Sequence, residues 1–106
     1  MASEENPVVK SALEILPLYG IEAWRNQAIR VPGRKFNGKK GVADVLGVAG
    51  NGRFVAVECK KPGAKASDEQ AEFLGMVEQR GGLALCVDNA QAIYVALARA
   101  TKLGLI

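Results

Sequence analysis

At 106 residues the chain has room for one hydrophobic core and not two, and an apolar fraction of 49% excludes a disordered tail. The lack of histidine and the presence of only two cysteines argue against a structural zinc site, and no run approaches the roughly 18 apolar residues of a membrane span. Net charge is only +3, but from Ala23 to Lys65 ten basic residues stand against two acids, a local net of +8 in a chain that is otherwise acidic.

In chain order, Val9, Ala12, Leu13 and Leu16 follow helical spacing, which predicts an amphipathic helix running up to Tyr19 and stopped by Gly20. Pro7 belongs in its first turn, where no N–H is needed, and Pro17 frays the last one. Residues 21–30 alternate and read as a strand. Residues 31–41 (VPGRKFNGKKG) form a loop rich in glycine, proline and positive charge. Val42 to Ala49 and Arg53 to Lys60 read as two strands of a hairpin turned by Gly50-Asn51-Gly52. A second helix opens at Ser67, where Ser67 and Gln70 match the S-x-x-Q capping box. Phe73, Leu74 and Val77 form its apolar face, and Gly81-Gly82 ends it. Leu83–Val87 is a short buried strand. A last helix runs from Asn89 to about Lys102, with Ala92, Ile93, Ala96 and Leu97 on one side. The order is α-β-β-β-α-β-α in one mixed α/β domain over residues 1–106, without repeat or linker. Cys59 and Cys86 sit inside apolar runs and read as buried small hydrophobes. With an N-terminus (MASEENP) that lacks the marks of a signal peptide, the expectation is a soluble cytoplasmic protein.

The basic block favours a polyanion and salt-sensitive binding, although a solvated basic loop without a partner would carry the same charge. What distinguishes the block is its two isolated acids, Asp44 and Glu58. Residues two apart on a strand share a face, so Glu58 and Lys60 point together while Val57 and Cys59 enter the opposite layer. Glu58 lies six residues after Gly52 and Asp44 six before Gly50, which sets the two carboxylates roughly across the hairpin from one another. Carboxylates so placed repel, and a divalent cation with oxygen ligands removes the repulsion. Such a site suits phosphodiester hydrolysis: the metal polarises the phosphate and acidifies a water, and Lys60 orients that water or holds charge on the phosphate. Spacing alone leaves the plainer reading open, of solvated strand ends joined by an ordinary salt bridge.

These residues resemble the VRR-NUC (virus-type replication-repair nuclease) family of the PD-(D/E)XK nuclease superfamily. The resemblance runs through G-I-E-A-W-R-N-Q at 20–27, G-V-A-D-V-L-G at 41–47, G-R-F-V-A-V-E-C-K-K-P-G at 52–63, K-A-S-D-E-Q-A-E-F-L at 65–74 and G-G-L-A at 81–84. It implies a restriction-endonuclease-like αβββαβ core with a mixed sheet flanked by helices, followed by a C-terminal helix. It implies a metal site of Asp44, Glu58 and the Cys59 backbone carbonyl, with Lys60 as the catalytic lysine and Gln70 reaching the site to order the nucleophile. Gln70 read as a capping-box residue would be structural, and one helix start could satisfy both roles. Ala43 stands where the superfamily's namesake has proline, a departure that touches backbone shape and not metal contact. Many members carry a further acid on the first helix. Glu5 is the candidate here, since it shares the stripe of Val9, Ala12 and Leu16, whereas Glu14 points away from it.

Arg25, Asn26 and Gln27 match the family's first strand and lie near the expected cleft. Arg34, Lys35, Lys39, Lys40 and Lys65 read as phosphate contacts. Trp24 is assigned to core or dimer packing rather than base stacking. The resulting expectation is an endonuclease of bacterial or phage origin that cuts branched DNA such as four-way (Holliday) junctions. It would use Mg2+ or Mn2+ and act as a homodimer, two symmetric sites meeting two strands. The alternative is a non-catalytic basic DNA-binding module, or a subunit of a larger nuclease complex.

Overall fold

The computed structural model describes residues 6–27 and 39–106. Its elements follow the expected order: α1 (Pro7–Ile15), β1 (Glu22–Arg25), β2 (Val45–Val48), β3 (Phe54–Cys59), α2 (Asp68–Gln79), β4 (Leu83–Val87) and α3 (Ala90–Lys102). The strands form one sheet in the order β1-β2-β3-β4, antiparallel except for the parallel β3–β4 pair that α2 connects. A parallel pair requires a crossover of this kind, and it puts α2 on one face of the sheet. No helix among the described residues is long and apolar enough to cross a membrane.

Alternation along the strands sorts the core into two layers. Val45, Val55, Val57 and Cys59 pack with Val9, Ala12 and Leu16 of the N-terminal helical segment and with Ile93 and Leu97 of α3. Ala43 and Ala56 pack on the other face with Phe73 and Val77 of α2. Leu16, Ile21, Ile93 and Leu97 are fully buried, each contributing about 1.5–3 kcal/mol of transfer free energy. The helix that the sequence runs through Tyr19 changes pitch instead. Residues Leu16–Tyr19 form a 3-10 turn containing Pro17, which has no N–H for an α-helical bond, and Gly20 closes it in a left-handed conformation.

β1 and β2 are both shorter than the alternation predicts. β1 ends at Arg25, and Asn26 makes one further bond, its amide donating to the Asp44 carbonyl at 2.8 Å. Residues 28–30 of the expected strand lie outside the described residues. β2 begins at Val45 and not Val42, for a reason taken up with the site below.

The end of the sheet at the hairpin turn is fastened by side chains. Arg53 donates through Nε to the Leu105 carbonyl at 2.6 Å and through a guanidinium nitrogen to the Gly81 carbonyl. Asn51 Nδ2 donates to the same Leu105 oxygen at 3.1 Å. The turn, the α2–β4 junction and the chain after α3 are thereby tied to one another.

One burial expectation needs correction, and of the two assignments open to Trp24 core packing drops out. Cys86 is exposed and only Cys59 is buried, because β4 is an edge strand whose outer flank is incompletely covered; both thiols are free. Trp24 is 46% exposed and so is not a core residue. It lies on the α2 face of β1, the opposite edge strand, in line with Leu46 and Ala56.

Candidate active site

Asp44 and Glu58 meet at the hairpin end remote from its turn. The β2–β3 register pairs Val45 with Val57, and one step further sets Asp44 opposite Glu58. The Ala49 amide bonds to the Arg53 carbonyl, so counting in twos makes Asp44–Glu58 a non-hydrogen-bonded pair, the kind whose side chains stand closest. The carboxylates then interrupt the ladder. The Asp44 amide donates to Glu58 Oε1 at 3.2 Å, and the Cys59 amide donates to Asp44 Oδ2 at 2.8 Å, where a regular ladder would offer it the Ala43 carbonyl. Side-chain oxygens satisfy these donors, and the regular strand starts one residue later.

The same registers extend the row across all four strands: Asn26, Asp44, Glu58 and Cys86 lie side by side. Two residues along β3, Lys60 Nζ pairs with Glu58 Oε2 at 3.1 Å and also donates to Gln70 Oε1. Gln70 Oε1 accepts at the same time from the Ser67 amide at 2.9 Å, and Ser67 Oγ accepts from the Gln70 amide at 3.2 Å. The capping box is complete, and its glutamine touches Lys60 as well. A carbonyl oxygen has two lone pairs and can accept both donors.

Glu58 is 1% exposed. Burial raises its pKa above the ordinary carboxylate value; the hydrogen bond from Lys60 opposes the rise and the charge of Asp44 adds to it. The Cys59 thiol is pushed up to about 12, first by burial and then by the charges of Asp44 and Glu58.

No group of three or more His, Cys, Asp or Glu side chains that could hold a metal ion occurs among the described residues. The side-chain donors are two adjoining carboxylates, of which Glu58 is buried and faces the charge of Asp44. Hard oxygens of this kind fit Mg2+ or Mn2+, which leave positions for water and phosphate, and a cation would offset the Asp44 repulsion that adds to the effect of burial on Glu58.

Of the basic residues assigned to nucleic acid, Lys39 and Lys40 are exposed and line a cleft with Glu69, Glu72, Phe73 and Met76 of α2. Lys65 is exposed on the loop before α2, and Gln27 is exposed beyond β1. Arg25 is exposed but alternates onto the face of Ala23 and Val45, away from the carboxylates. Glu5, Arg34 and Lys35 lie outside the described residues. A residue absent from the sequence assignment is Asn6: its Nδ2 donates to the Cys59 carbonyl at 3.1 Å. Asn6-Pro7 is legible as a helix start, but a bond to a strand 53 residues away carries no local signal.

A mixed sheet ending in paired carboxylates beside a lysine is an arrangement suited to a nuclease domain. Two solved structures carry this fold. One described as a VRR_NUC domain aligns over 95% of this chain and 97% of its own, with a TM-score of 0.61 at 20% identity. Another, described as a VRR_NUC domain protein, aligns over 97% and 93%, with a TM-score of 0.65 at 18% identity. At such identities the likeness is one of fold. The family model of the VRR-NUC domain matches residues 4–90, from ahead of α1 to the first residue of α3, and the chain belongs to that family of nucleases. No curated protein matches the chain.

Proposed function

We propose that the whole chain serves as one divalent-metal-dependent endodeoxyribonuclease domain that hydrolyses phosphodiester bonds in branched DNA, four-way junctions foremost, and works as a homodimer. The observation that carries the catalytic reading is the non-hydrogen-bonded cross-strand pair Asp44–Glu58, with Lys60 held on the same face between Glu58 and Gln70. Asp44, Glu58 and the Cys59 carbonyl would hold Mg2+ or Mn2+, which supplies phosphate polarisation and a more acidic water.

Lys60 presents a cation whose position is fixed by two acceptors, ready to offset charge that builds on the phosphate oxygens. Gln70 commits Oε1 to Ser67 and Lys60, which leaves its Nε2 to orient water or phosphate. Asn26 adjoins Asp44 on the neighbouring strand, within the same surface. Lys39, Lys40 and Lys65 flank the start of α2 and would hold the DNA backbone, giving affinity without base readout. The α-helices of the described residues pack on the sheet, which supports selectivity by shape rather than by sequence.

The test uses wild type and Lys60→Ala on labelled four-way junction, flap and linear duplex with Mg2+, Mn2+ or EDTA, resolved on a denaturing gel. Metal-dependent cutting of branched DNA that is lost in Lys60→Ala is the expected result. Binding without cutting in any metal would overturn the catalytic reading in favour of a binding module or subunit. A protein that sediments as a monomer at micromolar concentration would overturn the dimer.

A further inference from the structure

Asn6 makes two different hydrogen bonds with one side chain. Its Oδ1 accepts from the Val8 amide at 2.9 Å, capping α1, while its Nδ2 donates to the Cys59 carbonyl at 3.1 Å. Serine, threonine or aspartate could make the first bond equally well. Of these capping residues only asparagine carries an acceptor and an N–H donor on separate atoms, and the second bond needs that donor.

Both backbone polar groups of Cys59 are therefore held, its amide by Asp44 Oδ2 and its carbonyl by Asn6. This residue stands between Glu58 and Lys60 in a strand that ends with it. A carbonyl oxygen has two lone pairs. Asn6 occupies one and fixes the peptide plane, which leaves the other in a set direction.

We propose that Asn6 is a positioning residue that aims the Cys59 carbonyl at the divalent cation. The inference rests on the nuclease reading above and deepens it. It joins the start of α1 to the site through an uncharged contact, independent of any acid ahead of that helix.

The test separates the two bonds. Asn6→Ser keeps the cap but is too short to reach Cys59, and Asn6→Ala loses both. Mn2+ binding is measured by calorimetry without DNA, and the thermal midpoint is measured in EDTA. Both variants should bind Mn2+ roughly tenfold more weakly than wild type, the scale typical of groups that orient a metal ligand. Only Asn6→Ala should lose thermal stability in EDTA. Wild-type Mn2+ affinity in Asn6→Ser overturns the inference and leaves the nuclease reading standing. A fall in the EDTA midpoint of Asn6→Ser as large as that of Asn6→Ala overturns it too, since the long bond would then be structural. A wild type that takes up no Mn2+ overturns the metal reading and this inference together.

Discussion

Gly41 lies against Glu69 so closely that a methyl group on its Cα would stand 2.3 Å from the Glu69 carbonyl oxygen and 3.0 Å from the Gln70 amide nitrogen. Its φ of 77° is left-handed as well. The segment leading to Asp44 and the first turn of α2, which carries Gln70, thus meet backbone to backbone, with no flexible side chain between them to absorb a change.

Gly41→Ala should therefore destabilise the fold by roughly 1–3 kcal/mol through backbone strain alone. It should also reduce cleavage beyond what the lost folded fraction explains, because α2 must move and take Gln70 from Lys60. Denaturant unfolding together with cleavage assayed well below the melting temperature checks both. Wild-type turnover per folded molecule would show that the two segments are not coupled.

Glu58 predicts a pH-dependent cost. An acid whose pKa is raised on folding holds its proton more tightly in the folded state. Its contribution to stability is fully present below the ordinary value of 4.5 and is lost as pH climbs through the raised value. Above the ordinary value the raised pKa therefore weakens the fold. Glu58→Gln should raise the thermal midpoint in EDTA at pH 7, and the advantage should shrink as pH falls toward 4.5. Mn2+ should stabilise wild type more than the variant. A gain that does not vary with pH would be the wrong sign of evidence.

Gln70 can be divided between its two contacts. Gln70→Glu preserves a capping box and an acceptor for Lys60 but has no amide donor, whereas Gln70→Ala loses both side-chain contacts and keeps only the backbone bond to Ser67 Oγ. The glutamate variant should keep the wild-type melting temperature and lose cleavage on the order of tenfold or more. The alanine variant should lose both, with about 1 kcal/mol of stability. Full activity in Gln70→Glu would confine the residue to capping.

The two thiols should react in sequence. Cys59 is buried with its pKa pushed up to about 12, while Cys86 is exposed. A disulfide reagent should titrate Cys86 in the native protein and Cys59 only after denaturant is added, and Cys86→Ser should remove the native phase. Equal rates for the two thiols would contradict the burial of Cys59.

Local patterns expose most of this architecture in the sequence. The 3.6-residue spacing marks α2 and α3, and the capping box places Ser67 and Gln70 at a helix start. The equal offsets of Asp44 and Glu58 from the Gly50–Gly52 turn correspond to their facing positions in the hairpin. What is illegible depends on groups far apart in the chain. Alternation extends β2 back to Val42, but the Asp44 carboxylate takes the Cys59 amide and ends the ladder early. An apolar run hides the exposure of Cys86 because nothing in LALCV says that its strand is an edge. Asn6 reads as a cap and no more, since its partner is 53 residues away. Trp24 reads from its residue type as core or dimer packing, and the core half of that reading fails because α2 packs Ala43, just ahead of β2, and Ala56 on β3 and leaves β1 open.

The Arg53 and Asn51 bonds to Leu105, with Arg53 also holding Gly81, lie at the hairpin turn, whereas Asp44, Glu58 and Lys60 lie where the same strands leave the sheet. Fastening and the proposed site occupy opposite poles of one small sheet. Substitutions at the first pole can tune how firmly the chain holds together without entering the paired carboxylates. Those at the second can alter the proposed site while the far clasp keeps the strands in register.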